Sequence, residues 1–310
     1  MTDHAFPGAR RVASLLPAAS EIVAALGAAG DLVARSHECD HPAGIADLPA
    51  ITASRLAGDR PSAAIERDVR ARLEAGLSIY ALDAAALRAA RPDLIVTQTL
   101  CDVCALTPAD LADALADWTG ARPELLALAP LRLDDVFGDI ERIGAALGRI
   151  EAARSLAAQM RASMAAIAAR AAGLARPRVL TLEWLDPPMA GGNWMPELVA
   201  MAGGDNLFGE AGAHSPWLDP AALARCAPDV VLLVPCGFAI ARTLAELPAL
   251  DAHAWWRALP GRKFVADGGR YFNRPGPRLV ESLEILAEIL HPDAFDFGHR
   301  GDGHVALNGA

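Results

Sequence analysis

Lysine is almost missing from this chain. Of 28 basic residues only Lys263 is a lysine, and 38 acidic residues leave a formal net charge of −10. That balance argues against a nucleic-acid binder, whose phosphate contacts need a basic face. Cysteine is scarce and odd in number at five, which argues against a disulfide framework and fits a reducing compartment. No run approaches the roughly 18 uninterrupted apolar residues of a membrane span. Gly and Pro, at 26 and 22, are too few for a collagen-like or low-complexity chain. There is no G-x-S-x-G elbow, no G-x-x-x-x-G-K-[ST] loop and no dinucleotide fingerprint after any strand-like run. What is present is core: 53% hydrophobic against 21% charged residues over 310 positions, enough for about two domains at roughly 150 residues each.

Short apolar runs alternate with helical stretches, the signature of α/β layers around parallel sheets. Strands are expected at Val12–Leu16, Leu32–Ser36, Leu94–Thr97 and Leu125–Leu128, and again at Arg178–Leu182, Val230–Val234 and Lys263–Ala266. Helices are expected at Ala19–Leu26, Ala63–Ala75, Pro108–Thr119, Met195–Ala202, Pro220–Cys226 and Arg278–Leu290. Residues 133–174 read as helical nearly throughout, broken near Gly144 and Gly148, with Leu156, Met160, Met164 and Ile167 forming one apolar stripe. A helix of about 22 residues spans about 33 Å, long enough to tie two lobes together. The expected organisation is an N-terminal α/β lobe over 1–132, a connecting helical backbone over 133–174, a C-terminal α/β lobe over 175–291 and a flexible tail over 292–310. At the start, Arg10-Arg11 before Val12–Leu16 imitates a secretory or twin-arginine signal. Pro17, Ser20 and Glu21 interrupt it, so the run reads as a strand and the expected compartment is the cytoplasm, or the periplasm if the start is truncated.

In open parallel sheets ligands bind beyond the carboxyl ends of the strands. The segments after the expected strands carry most of the unusual side chains: His37-Glu38-Cys39-Asp40-His41, Cys101-Asp102-Val103-Cys104, Glu183-Trp184, Trp194, Cys236, and Tyr271-Phe272 with Arg274. The expectation is a cleft between two lobes lined by thiols, carboxylates and aromatics. His37, Cys39, Cys101 and Cys104 have the donor chemistry for zinc, iron or an iron–sulfur cluster, while buried thiols without metal fit the same pattern. His37-Glu38-x-x-His41 matches the zinc-protease letters, but that mechanism needs a helix, and here a strand leads in and Pro42 follows. Trp184, Trp194, Trp217, Tyr271 and Phe272 read either as core or as cleft wall; Glu183 and Asp186 beside Trp184 favour the wall there.

Several ordered segments carry a family resemblance. Val12-Ala13-Ser14-Leu15-Leu16-Pro17-Ala18-Ala19-Ser20-Glu21-Ile22, Arg91-Pro92-Asp93-Leu94-Ile95, Ala202-Gly203-Gly204-Asp205-Asn206-Leu207, Ala227-Pro228-Asp229-Val230-Val231 and Tyr271-Phe272-Asn273-Arg274-Pro275-Gly276-Pro277-Arg278 resemble class III substrate-binding proteins of ABC importers, a helical-backbone metal receptor superfamily. The nearest likeness is to the vitamin B12-binding members, over residues 12–291. The resemblance implies two Rossmann-like lobes joined by one long backbone helix, no enzymatic activity, cobalamin or a related corrinoid as ligand, and an ABC permease as partner if the chain is exported. It also implies ligand contacts at Trp184, Trp194, Tyr271 and Arg274, to which Glu183, Cys236 and Phe272 are added from their positions. The chain departs from the typical pattern in its His37-Glu38-Cys39-Asp40 and Cys101-x-x-Cys104 segments and in the inserted-looking stretch Gly58–Leu82. These departures support an alternative reading, a cytoplasmic protein dependent on a zinc, iron or iron–sulfur centre held by the Cys/His set.

Overall fold

A computed structural model describes residues 10–75, 77–98, 108–116 and 118–307. The strands are, in chain order, β1 (Val12–Ser14), β2 (Leu32–Arg35), β3 (Thr52–Ser54), β4 (Tyr80–Leu82), β5 (Leu94–Gln98), β6 (Glu124–Leu128), β7 (Arg178–Trp184), β8 (Met189–Ala190), β9 (Asp205–Asn206), β10 (Val230–Leu233), β11 (Arg262–Ala266) and β12 (His304–Ala306). The helices are α1 (Pro17–Ala25), α2 (Ser62–Glu74), α3 (Ala84–Ala90), α4 (Pro108–Ala114), α5 (Leu133–Ala146), α6 (Ile150–Ala171), α7 (Met195–Met201), α8 (Pro220–Leu223), α9 (Ile240–Leu250), α10 (Ala254–Ala258) and α11 (Leu279–Leu290). The chain divides into two compact units: the first takes residues 1–60, 67–130 and 134–159, the second 61–66, 131–133 and 160–310.

The first unit is built on a parallel sheet in the order β2-β1-β5-β6. Its central strands are sealed on both faces, so β5 reads Leu94-Ile95-Val96 without an exposed position. Ala13, Ala34, Ile51, Leu87, Ile95, Leu111 and Leu115 form one core cluster over that sheet. The segment that looks inserted in the sequence holds α2, flanked by the antiparallel pair β3–β4. The second unit has a sheet in the order β12-β11-β10-β7-β8, with β7, β10 and β11 parallel and both terminal strands antiparallel. Val230–Leu233 is buried at every position, as a central parallel strand requires.

The region expected as a connecting helical backbone, 133–174, holds the two helices α5 and α6. α5 from Asp134 onward and the first ten residues of α6 belong to the first unit, and Leu133 and the rest of α6 to the second. Buried Val136, Phe137, Ile140 and Ile143 explain this for α5, which presents a continuous apolar stripe. Gly144 does not break the helix; α5 continues through it to Ala146 and the chain turns at Gly148, whose φ is +68°. Gly144 serves a close approach instead: a Cβ there would stand 2.3 Å from the Cβ of Ala153 on α6.

The tail expected to be flexible is also ordered through residue 307. β12 pairs antiparallel with β11, and Phe295 and His304 are buried. Its Gly, Asp and His content imitates a loose terminus, but glutamates on α11 answer its histidines and backbone amides.

Gly144→Ala should cost about 1–3 kcal/mol of stability through overpacking, read as a lowered thermal midpoint. Combining it with Ala153→Gly should recover part of that loss, because the second change removes the methyl that clashes; strict additivity of the two losses would refute this contact.

Candidate functional site

In the second unit the turns after β10 and β11 lie beside each other and beside the end of β7. After β10 the chain runs Val234-Pro235-Cys236-Gly237-Phe238, and after β11 it runs Asp267-Gly268-Gly269-Arg270-Tyr271-Phe272. Gly268 has to be glycine, because a Cβ would lie 2.3 Å from the Pro235 carbonyl oxygen. The Gly269 N–H donates to the Phe238 carbonyl at 3.1 Å, and the Cys236 N–H donates to the Glu183 carbonyl at the end of β7 at 3.0 Å. Asp267 caps the turn by accepting from the Arg270 N–H at 2.7 Å. Burial raises the Asp267 carboxyl above its ordinary range, against the pull of Arg270, Arg274 and Arg278. Arg270 meets Asp302 at 3.0 Å and Arg278 meets Glu281 at 3.0 Å.

The aromatic residues divide by burial. Trp194, Tyr271 and Phe272 are 5%, 2% and 1% exposed, so they are interior packing and present almost no surface to a ligand. Trp194 acts as a brace, its indole N–H donating to the Phe272 carbonyl at 3.1 Å. Tyr271 lies between the guanidinium groups of Arg270 and Arg278, at 5.0 and 4.4 Å from its ring centre. Trp184 is half-buried against Phe238, with ring centres 5.3 Å apart, and its Nε1 is buried without a hydrogen-bond partner. Arg242 covers the Phe238 ring at 4.4 Å and pairs with Glu246 at 2.5 Å. The other oxygen of Glu246 accepts from the Ser62 N–H at 2.9 Å. Glu183, Cys236 and Arg274 are half-buried.

Four side chains here were not singled out as ligand contacts from the sequence. Trp217 is 50% exposed, on a segment fixed to the sheet edge by Ala190 N–H to the Pro216 carbonyl (3.0 Å) and Leu218 N–H to the Pro188 carbonyl (2.8 Å). Leu218 turns into the core and its neighbour turns out, the ordinary alternation of extended chain. Ser215 donates to Glu183 Oε2 at 2.9 Å and accepts from the Gly192 N–H at 3.0 Å, joining the β7 end to the loop before α7. In that loop Asn193, and after the β11 turn Asn273, each hold a buried Oδ1 without a partner. The signal for Trp217 was its position beside Pro216, where an indole has little local helix or strand to hide in; the asparagines gave none.

In the first unit the loop after β2 carries His37, Glu38 and Cys39. His37 is fixed from below by Thr52. The Thr52 hydroxyl donates to Ser36 Oγ at 3.0 Å and accepts from the His37 N–H at 3.0 Å. With its proton spent on Ser36, Thr52 Oγ1 also accepts from the ring, whose Nδ1 is 2.7 Å away. The proton therefore sits on Nδ1 and the lone pair on Nε2, the form that ligates metals. Burial lowers the pKa of His37 below 6.5, with Arg35 adding to the effect and Glu38 opposing it. The Tyr80 ring lies tilted at 58° to the imidazole with centres 5.3 Å apart, and its hydroxyl donates to Glu38 Oε1 at 3.1 Å. Cys39 is 1% exposed and accepts from the Ser20 hydroxyl at 3.1 Å. Cys101 and Cys104 lie outside the described residues. Among the described residues no three His, Cys, Asp or Glu side chains are grouped to hold a metal ion. Cys226 is core, its thiol pKa raised by burial.

A family described as periplasmic binding protein matches residues 12–261. The fold is similar to three solved structures. The periplasmic vitamin B12-binding protein BtuF of Vibrio cholerae is 19% identical with a TM-score of 0.64, over 92% of this chain and 98% of that one. A periplasmic heme-binding protein from Pseudomonas aeruginosa is 23% identical with a TM-score of 0.67, over 92% and 94%. An ABC transporter substrate-binding protein from Listeria monocytogenes is 18% identical with a TM-score of 0.66, over 92% and 100%. No curated protein sequence matches the chain.

Nitrogen-detected NMR of the histidines should find His37 titrating below 6.5, protonated at Nδ1 and bare at Nε2 at neutral pH. Thr52→Val removes the acceptor and should mix the two tautomers. A midpoint above 6.5, or an Nε2–H form in the unaltered protein, would contradict this geometry.

Proposed function

We propose, from the premise that the chain belongs to the periplasmic binding protein family, that its ligand is a corrinoid, cobalamin or a close relative. The chain is a substrate-binding protein of the ABC-importer type, and such proteins capture a small molecule rather than transform it. The corrinoid reading rests on one observation: the unspent hydrogen-bonding atoms of the second unit. Trp184 Nε1, Asn193 Oδ1 and Asn273 Oδ1 are buried and unpaired, and each such group costs about 1–3 kcal/mol until it finds a partner. A corrin is rimmed with amide side chains, which both donate and accept. A porphyrin rimmed only with carboxylates answers the indole N–H and leaves the two amide oxygens unanswered.

In this reading Trp217 offers its exposed face to the macrocycle and Arg274 meets an amide oxygen at its edge, with Glu183 and Cys236 beside them. His37, in the first unit, is proposed as a metal ligand in its own right, through the Nε2 of a neutral imidazole. The proposed compartment is the cytoplasm, on the thiols alone: among the described residues Cys226 and Cys236 carry free thiols. If cell fractionation finds the protein outside the inner membrane, that part falls and an ABC permease becomes its expected partner.

Tryptophan fluorescence titrated in parallel with hydroxocobalamin, dicyanocobinamide and haemin tests the ligand. Saturable quenching by a corrinoid is expected, weakened on the order of tenfold or more, about 1.4 kcal/mol, by Trp217→Ala or Arg274→Ala. Quenching by haemin alone would replace the corrinoid with a porphyrin, and quenching by none of the three would end the proposal.

A further inference from the structure

The tail after α11 is fastened by two histidine–glutamate pairs one helical turn apart. Glu284 Oε2 lies 2.8 Å from His299 Nε2 and Glu288 Oε2 lies 3.1 Å from His304 Nε2. The second pair is nearly sealed, with side chains 4% and 6% exposed. The other oxygen of Glu288 accepts the backbone N–H of Phe297 and of His299. Beyond this anchor the same tail reaches the turn that leads into Arg274. The Gly303 carbonyl accepts from the Asp267 N–H at 3.1 Å, Asp302 pairs with Arg270 at 3.0 Å, and the His299 ring stands edge-on to Tyr271 at 6.1 Å.

We infer that residues 296–306 form a clasp on the turn 267–272, held by the His304–Glu288 pair and released when His304 takes up a proton. The hydrogen bonds leave little choice about protons. Glu288 meets only donors, so the His304 proton is on Nε2 and its Nδ1 is bare. That Nδ1 is buried and has no partner, so a second proton there would find no acceptor. The groups facing His304 are Glu288 from α11, His299 and Arg300 from the tail itself, and the Phe264 ring from β11, 6.1 Å away. Around His299 stand Glu284 and Tyr271, with Arg270 and Asp302 at the mouth of the turn.

Burial holds His304 below 6.5, helped by Arg300 and His299 and opposed by Glu288. Its contribution is therefore complete above about pH 6.5 and fades as the pH falls below that, because the open form binds the proton that the closed form refuses. Glu288 is shifted the other way from its surroundings: burial pushes it up, but its bonds to Phe297 N–H, His304 and His299 N–H outweigh that and hold it below 4.5. It stays ionised while His304 titrates, so the histidine is the trigger.

Hydrogen exchange on the full chain, corrected for intrinsic rates, tests the clasp without any ligand. Peptides covering 292–307 and 267–274 should lose protection together, on the order of tenfold, between about pH 7.5 and about pH 5, while β10 keeps its protection. His304→Gln keeps an Nε2–H for Glu288 but cannot titrate, so both segments should stay protected across the range. His291, also lowered by burial, is untouched in that variant and controls for general acid effects. Glu288→Ala should open both segments at every pH. The inference is overturned if His304→Gln opens like the unaltered protein, or if the tail opens in Glu288→Ala while the turn stays protected.

Discussion

How closely β10 and β11 can end beside one another decides what the second unit presents. Parallel strands leave their last carbonyls and next amides unpaired, and some other backbone has to take them. Here the ladder continues past the strands: the Val234 N–H reaches the Leu182 carbonyl, the Cys236 N–H reaches Glu183, and the Gly269 N–H reaches Phe238. Gly268 lies against the Val234–Pro235 backbone, where any side chain would meet a carbonyl oxygen. The turn bearing Asn273 and Arg274 thus springs from backbone hydrogen bonds, a stiffer base than side-chain packing. A site held that way keeps its geometry before a ligand arrives, and little of the binding energy has to be spent on ordering it.

Burial separates residues that look alike in the chain. Trp194, Tyr271 and Phe272 stand next to chemistry-bearing neighbours, yet their rings hold the site up from behind: Trp194 bonds the Phe272 carbonyl, and the Ser282 hydroxyl donates to the Tyr271 carbonyl at 2.9 Å. Trp217 is the reverse case, with its neighbour Leu218 absorbed into the core and its own ring left outside. Composition and spacing report that an aromatic is present; which way it faces depends on register across a strand pair, Met189 with Trp217, that no local pattern encodes.

The same distinction marks how far the sequence could be read. Alternating apolar runs and helices placed β5, β10, α7 and α11 close to where they lie, because a buried parallel strand is hydrophobic at every position and a surface helix at every third or fourth. Two lobes with parallel sheets were legible for that reason. Gly144 was not, since a glycine that admits a neighbour and a glycine that ends a helix are the same letter. The tail was misleading for a related cause: its order comes from Glu284 and Glu288, 15 and 16 residues upstream of their histidines. His37 was legible as a donor, but its Nδ1–H form depends on Thr52, 15 residues away on another strand.

A stable fold has reason to eliminate polar groups buried without partners. Asn193 sits in the loop before α7 with φ at +50°, a left-handed conformation that asparagine tolerates better than most residues. It precedes Trp194, whose indole bonds the Phe272 carbonyl one residue before Asn273. The two unspent amide oxygens are thus attached to the two ends of one hydrogen bond, and movement of one loop moves the other. His304 Nδ1 is unspent in a different way: what it lacks is an acceptor for a proton it does not yet hold. On the proposed readings the asparagines would be completed by a ligand that donates, whereas the histidine would be disturbed by the smallest ligand of all. Both leave the neutral, ligand-free chain short of its full stability, the usual cost of a surface kept ready to bind or of a contact kept ready to open.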